Sequence, residues 1–290
     1  QLEVLGAYSS MGIEATCTCT PYFIGVRPSK GEHIAWSESS AVAFANSVLG
    51  ARTNREGGPS ALAAAICGVT PNYGLHLDEN RISNFVVEVE AELKTSSDFG
   101  AMGYAVGEMA KGRHVAFTRV KSASEDHLKA LGAAMAASGS AALFYMKGIT
   151  PEYNVSDSAE RITFSAKELA LTKGKMGTNE KPQLVAIGCP HASIDEIAEV
   201  AALVNGKKLS TDLWVCTARQ TKEKADRLGY TRAIEAAGGR VISDTCMVVC
   251  PLEEMGYKVT ASNSGKAAKY LSSMQKQKVV FGDVKDIIFR

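Results

Sequence analysis

The chain has 290 residues, 46% hydrophobic and 22% charged, with a formal net charge of +1. This is the composition of a soluble globular protein with length for one large domain or two smaller ones. Charges of both signs are interspersed, so neither a basic face for nucleic acid nor an acidic tail stands out, and no run of about 18 apolar residues predicts a membrane span.

The seven cysteines are an odd number at low density, in a chain long enough to fold without staples. They predict free thiols in a reducing compartment, the cytoplasm, rather than a disulfide framework. No signal peptide is apparent, although the chain opens on Gln1 without a methionine. The first notable stretch is "TCTCTPY" (16–22). In an extended segment Cys17 and Cys19 point to the same side, and a direct bond between such close neighbours would be strained.

"SESSAVAFANSVLGA" (37–51) carries small apolar residues at helical spacing, with Ser37 or Ser39 as its cap. In "RTNREGGPSALAAAICG" Gly57, Gly58 and Pro59 end one helix and start another, leaving Arg52, Asn54, Arg55 and Glu56 in the intervening loop. "SSDFGAMGYAVGE" through "GRHVAFTRV" reads as strands with a glycine-rich turn.

The C-terminal half is more regular. "PQLVAIG" predicts a strand, followed by a helix over "CPHASIDEIAEVAALV" with Ser193 as N-cap. "DLWVCTA" is the next strand, "TKEKADRLGYTRAIEAAGG" a helix and "RVISDTC" a third strand. "KVTASNSGKAAKYL" and "QKVVFGDVKDIIFR" continue the alternation. Strands separated by helices of this length predict parallel βαβ units, an α/β fold, with a division into residues 1–150 and 151–290. Cys189, Cys216 and Cys246 then fall at or beyond the ends of three successive strands, the edge where open parallel sheets bind ligands.

Other chemistries lack their signatures. There is no GxxxxGK[ST] phosphate loop and no GxGxxG, and the histidines form no HExxH or close metal-ligand pair. No GxSxG elbow supports a serine hydrolase. His191, beside Cys189 in "GCPHAS", is the histidine best placed to matter.

"CTPY" (19–22), "HIAWSESSAVAFANSVLGARTNREGGPSALAAAICGVTPNYGLH" (33–76), "KGITPE" (147–152), "GCPHAS" (188–193) and "SDTCMVV" (243–249) together resemble the aconitase X family, in order and through nearly the whole chain. The resemblance implies aconitase-like α/β/α domains and the large component of an iron–sulfur hydro-lyase. It also implies an N-terminal portion upstream of the position matching Gln1. The expected reaction is dehydration of mevalonate 5-phosphate in an isoprenoid pathway. A second reading is cis-3-hydroxy-L-proline dehydratase, and a third is a zinc- or cluster-binding protein without dehydratase activity.

Cluster chemistry needs thiolates, and a [4Fe–4S] cluster with three protein ligands leaves one iron open as a Lewis acid. The resemblance places those ligands at Cys19, Cys189 and Cys246, with Cys216 as the alternative to Cys189. Cys17 is then a bystander, while Cys67 and Cys250 are expected in the core. Ser39, Asn46, Asn54, Arg55, His76 and Arg81 are candidates to bind a small carboxylate or phosphate substrate, with Glu38 and Glu56 orienting them. No catalytic base is evident. A small swivelling-domain subunit is expected to supply it, making a heterodimer.

Overall fold

In the computed structural model, which describes residues 2–290, the chain builds two all-parallel sheets. After helix α1 (Leu2–Ser10), a 3-10 turn at Pro21–Phe23 leads to α2 (Ser39–Phe44), a π turn at Ala45–Leu49 and α3 (Gly58–Cys67). The first sheet then forms from β1 (Ser83–Val89), β2 (Val115–Thr118), β3 (Phe144–Met146) and β4 (Val155–Phe164), in the order β3-β2-β1-β4. Between them lie α4 (Ser96–Ala110) and α5 (Glu125–Gly139). Because β4 pairs with β1, the first sheet draws on both sides of the expected division at residue 150.

Helix α6 (Ala166–Met176) leads to the second sheet. Its strands are β5 (Leu184–Ile187), β6 (Asp212–Thr217), β7 (Arg240–Ser243), β8 (Val259–Ser262) and β9 (Lys278–Phe281), in the order β7-β6-β5-β8-β9. The intervening helices are α7 (Ile194–Val204), α8 (Arg219–Arg227), α9 (Tyr230–Ala237), α10 (Gly265–Ser273) and α11 (Val284–Ile287). The chain thus moves outward from β5 to β7, then returns to the other side of β5 with β8. A reversal of this kind opens a crevice at the carboxyl ends of β5 and β8, because their following connections run to opposite faces of the sheet.

The expected α/β architecture of parallel βαβ units is present, and the C-terminal alternation matches it strand for strand. Ser193 caps α7 as expected, and its hydroxyl and the Glu196 carboxylate form a reciprocal capping box. The single helix expected over residues 221–239 is instead two, because Gly229 takes a left-handed conformation between α8 and α9.

Residues 96–110 depart further from expectation: they form helix α4, not strands and a turn. Thr95 and Asp98 build a capping box at its start, and the glycines serve helix packing. A Cβ on Gly103 would lie 2.4 Å from the Leu131 carbonyl oxygen of α5, and one on Gly139 would lie 1.8 Å from that of Gly107. Helices α4 and α5 therefore touch backbone to backbone. Helix α10 packs on both, so this layer lies between the two sheets.

The cores follow from strand alternation. Phe85, Val87 and Val89 pack with Phe99, Met102 and Leu131 of the helix layer, while Val86 faces Leu75, Leu143 and Tyr145. In the second sheet, Val185 and Ile187 meet Ile197, Val200 and Ile234 on one face. Leu184, Ala186, Cys189 and Cys216 pack with Ala267 and Leu271 of α10 on the other. Among the described residues, no helix is long and apolar enough to cross a membrane.

At the amino edge of the first sheet, Arg81 is buried at 2% exposure. Its guanidinium donates to Asn46 Oδ1 at 3.1 Å, the Asn46 carbonyl at 3.0 Å, the Leu75 carbonyl at 3.2 Å and Glu152 Oε2 at 3.0 Å. Arg52 donates to the same carboxylate at 2.7 and 3.2 Å. Burial alone would raise the Glu152 carboxyl, but the two arginines outweigh it and hold its pKa below the ordinary value.

A depressed carboxylate stabilises the fold above its unfolded-state pKa, and that contribution is lost as pH falls through the native one. Glu152→Gln leaves the Arg81 charge without its carboxylate, and we expect a cost of about 3 kcal/mol at neutral pH. In urea titrations the gap from wild type should shrink below about pH 4, where the carboxylate protonates in the unfolded chain. An equal gap at both pH values would contradict this assignment.

Candidate functional site

The three cysteines expected to act together arrive from three separate loops. Cys19 lies in the loop ahead of the 3-10 turn, where Pro21 occupies the first turn. Cys189 follows β5, and Cys246 follows β7. Gly188 makes the Cys189 turn feasible: its φ is +99°, and a Cβ there would meet the Cys216 carbonyl oxygen at 2.0 Å. The chain can therefore leave β5 pressed against the end of β6. The Cys216 carbonyl accepts from Ala192 N–H at 2.9 Å, closing the same loop.

His191 locks this arrangement. Its backbone N–H donates to Cys19 Sγ at 3.2 Å. Its ring Nε2 lies 3.0 Å from the Thr245 carbonyl and its Nδ1 lies 3.0 Å from Thr18 Oγ1. Burial keeps the imidazole pKa below the ordinary value. A carbonyl can only accept, so the neutral ring carries its proton on Nε2 and accepts the Thr18 hydroxyl at Nδ1. One residue thus ties the Cys19 loop to the Cys246 loop, two positions from Cys189.

The opposite wall comes from α10, which starts just beyond β8. The Ser264 hydroxyl caps α10 by accepting from Ala267 N–H at 3.0 Å and donates to the Cys189 carbonyl. Two residues on, Lys266 is buried and pairs with Glu38 at 2.5 Å. Glu38 is itself the cap of α2, accepting from Ala41 N–H at 2.8 Å. This replaces the cap expected from Ser37 or Ser39.

A second anchor holds the same loop from below. Lys129 of α5, fully enclosed, bonds to Asp126 at 2.8 Å and to Glu196, and its ammonium reaches the His191 carbonyl at 3.4 Å.

The thiols share one electrostatic environment. Burial pushes Cys19 up to about 11, partly offset by Lys266, with Glu38 and Cys246 adding to the rise. Burial also raises Cys189 well above the ordinary thiol value, with Lys266 opposing and Cys246 and Cys19 reinforcing. Cys246 is raised by burial and moderated by the backbone N–H groups of Val248 and Val249. Cys216 is buried at the end of β6 and raised by burial, and it also senses Cys246, Cys250 and Cys19.

All seven cysteines are free. Cys67, expected in the core, is exposed instead, because it ends α3, a helix with no buried residue. Cys250 is half-buried and packs against the second-sheet core. Cys17 is half-buried with a left-handed φ of 42°.

Thiols are the donor type that a sulfur-held cofactor takes. Tyr22 Oη, whose pKa is raised by burial and then by Cys19, has no hydrogen-bond partner among the described residues. An orphaned hydroxyl beside converging thiols leaves a polar group for something bound there. Among the described residues, no three His, Cys, Asp or Glu side chains stand close enough to hold one metal ion.

The six substrate-contact candidates separate into two groups. Asn46, Asn54 and Arg81 are engaged inside the fold. Asn46 is buried and bonds to Thr53, Ala142 and Arg81. Asn54 bridges the Tyr73 carbonyl and Leu75 N–H at 3.0 and 2.8 Å. Ser39, Arg55 and His76 keep groups available. Ser39 lies between Glu38 and Ser40, and both of these bond to Lys266. Arg55 is exposed and makes no hydrogen bond or ion pair among the described residues.

His76 stacks on His33 with their Nδ1 atoms 2.8 Å apart, and its buried Nε2 has no partner among the described residues. Both histidines line a groove of about 810 Å³ with Trp36, Asn72 and the small residues of α3. Glu56, the other expected orienting group, accepts from Ser60 at 2.9 Å, and its N–H donates to the Trp36 carbonyl of the groove wall.

Sequence reasoning missed Ser264, Lys266, Thr18 and Lys129. The signal for the first two was present: "TASNSGK" is a strand end followed by a capped helix. Pairing β8 with β5 puts that cap against Cys189.

Fold and site together define an open-sheet α/β protein with a thiol-lined site at its topological switch point. Aconitase X family models match the chain as first domain over residues 1–79, second domain over 83–173 and third domain over 182–290. The chain belongs to the aconitase X family.

It is 51% identical to the phosphomevalonate dehydratase large subunit of Methanocaldococcus jannaschii, over 99% of this chain and 74% of that protein. The large subunit from Methanothermobacter thermautotrophicus is 50% identical over 99% and 73%. The cis-3-hydroxy-L-proline dehydratase of Pseudomonas aeruginosa is more distant, 34% identical over 95% of this chain and 50% of its own length. The crystal structure of Thermococcus kodakaraensis aconitase X in its holo-form superposes with a TM-score of 0.95 at 48% identity, covering 99% of this chain and 75% of that one.

If His191 fixes the thiol loops, His191→Ala should free the Cys19 and Cys246 loops together. Thr18 keeps its contacts to Thr20, but losing its bond to the ring and leaving the Thr245 carbonyl without one should cost about 1 to 3 kcal/mol. In a maleimide time course Cys19 and Cys246 should react faster than in wild type, with exposed Cys67 unchanged as internal control. Unaltered rates at Cys19 and Cys246 would show that the loops hold without the ring.

Proposed function

We propose that this chain is the large subunit of a phosphomevalonate dehydratase, removing water from mevalonate 5-phosphate to give the unsaturated acid, and that Cys19, Cys189 and Cys246 hold an iron–sulfur cluster. The observation that carries the cluster reading is that the loops bearing three free thiols, Cys19, Cys189 and Cys246, meet around His191 near the switch point. The identity of about 50% to archaeal large subunits across almost the whole chain supports the choice of substrate. Free thiols throughout agree with a reducing, cytoplasmic setting.

A bound cluster with three protein ligands supplies a Lewis acid for the departing hydroxyl. This chain's own residues shape the surroundings. Lys266 and the start of α10 place positive charge beside the sulfurs, which favours an anionic ligand. Arg55, with no partner among the described residues, is a fork for a carboxylate or phosphate. Ser39 and His76 supply further hydrogen-bonding groups. Asn46, Asn54 and Arg81 act one step back, fixing the loops on which those groups sit.

A separate small subunit covers the site and contributes the proton-abstracting base, in keeping with the "large subunit" names of the relatives. Proton abstraction and departure of hydroxide must occur out of bulk water, which a second body closing over an exposed edge achieves.

Turnover decides between the dehydratase readings. The complex with its small subunit, assayed on mevalonate 5-phosphate and on cis-3-hydroxy-L-proline, should consume the first and not the second. The reverse preference would move the chain to the proline branch. In the same assay Arg55→Lys should lower kcat/KM by about tenfold or more, since an ammonium cannot reproduce the bidentate fork. Its melting temperature should stay unchanged. Unaltered kinetics would return Arg55 to a solvated loop residue.

A further inference from the structure

His76 is only 5% exposed, yet its Nε2 has no hydrogen-bond partner among the described residues. A buried polar atom left this way calls for an explanation. The residue lines the groove of about 810 Å³ between α3 and the 33–36 segment. The backbone before it is held on both sides: Leu75 N–H donates to Asn54 Oδ1 at 2.8 Å, and the Leu75 carbonyl accepts from Arg81 at 3.2 Å. His33 is fixed in the same way. Ile34 N–H donates to the Arg52 carbonyl at 3.0 Å, and Arg52 N–H to that of Glu32 at 2.8 Å. Arg52 and Arg81 share Glu152, so both histidines stand on one ionic cluster.

The two rings lie within 9° of parallel, and their Nδ1 atoms are 2.8 Å apart. At that distance one Nδ1 carries a proton and the other a lone pair. If His33 were the donor, neutral His76 would carry its proton on Nε2, as a buried N–H with no acceptor. If His76 is the donor, its Nε2 is a bare lone pair, and the second N–H falls on His33, an exposed residue that water can serve. An orphaned buried N–H is the rarer defect, so the second tautomer is the stable one. The groove is therefore offered a hydrogen-bond acceptor.

The lining decides what can meet it. Ala61, Ala64 and Ala65 contribute only methyl groups, and Trp36 and Val69 add larger apolar surface. No Asp, Glu, Lys or Arg lines the groove among the described residues. An ammonium or a carboxylate would lose its hydration there without a counter-charge, and a carboxylate would also set lone pair against lone pair. A hydroxyl is uncharged and can donate.

We propose that this groove binds an uncharged hydroxyl carried on a small apolar body, with His76 Nε2 as acceptor and His33 as the positioning residue that fixes its tautomer. This does not rest on the cluster reading. The hydroxyl has two sources, the alcohol of mevalonate 5-phosphate with its charged ends outside the groove, or a separate neutral alcohol.

Nitrogen NMR of the histidine-labelled full chain at about pH 8, above the ordinary imidazole range, tests it. The His76 signals are assigned by their loss in His76→Gln, and the probes are isoamyl alcohol, isovalerate and isoamylammonium. Nε2 of His76 should resonate as an unprotonated imidazole nitrogen and Nδ1 as a protonated one. Isoamyl alcohol should shift Nε2 saturably, while the two charged probes bind about tenfold more weakly or worse. His33→Leu should mix the two tautomers and weaken the alcohol by about fivefold, a change that loss of packing alone would not produce in the Nε2 signal. Displacement of the alcohol by mevalonate 5-phosphate would assign the hydroxyl to the substrate, and retention would assign it to a separate ligand. A proton on His76 Nε2, no saturable shift with the alcohol, or isovalerate binding as tightly would overturn the inference, and wild type alone decides these three. None of them depends on the turnover assay, so this inference and the dehydratase reading fail separately.

Discussion

The neutral imidazole of His191 is the point on which the site depends. Its Nε2 proton can go only to the Thr245 carbonyl, and its Nδ1 is then left to accept from Thr18. Two loops more than 200 residues apart in sequence, at Cys19 and Cys246, are thereby held in one register. The backbone of the same residue reaches Cys19 Sγ, and the chain two positions earlier is Cys189. Three loops that meet lose conformational freedom, and each resists that ordering entropically. Here the ordering is supplied by buried hydrogen bonds to one ring.

That ring is in turn held by the architecture. The switch in strand order puts the Cys189 loop beside the start of α10, whose Ser264 cap grips it. Helix α5 brings Lys129 up beneath the His191 carbonyl. Such support needs the helix layer between the sheets to be thin and stiff, and the glycines of α4 and α5 achieve that by direct backbone contact. The cysteine site is therefore a product of both sheets, although its cysteines after Cys19 all come from the second.

Much of this was legible in the sequence. From residue 182 onward, short apolar strands alternate with capped amphipathic helices, and parallel βαβ units are the arrangement that satisfies such a pattern. The cysteines at strand ends followed directly. Helix α4 was hidden because Gly100, Gly103 and Gly107 read as turn formers, while their use is close approach to α5 and α10, a tertiary fact. Lys266 was hidden because its partner Glu38 is more than 200 residues away. Arg81 and Asn46 carry the residue types of an anion site, but their donors, Arg81 Nε apart, are taken up by Glu152, Asn46 Oδ1 and backbone carbonyls. Chemistry-bearing residue types identify a polar cluster; only burial and partners show whether it faces a ligand.

The central claim is that Cys19, Cys189 and Cys246, and not Cys216, ligate one cluster. Iron and acid-labile sulfide per chain, together with visible absorption, measured for single serine replacements at all four positions, test it most directly. The account requires loss of cluster in the variants at 19, 189 and 246, and retention in Cys216→Ser. Full cluster content in Cys189→Ser, with loss in Cys216→Ser, would contradict it.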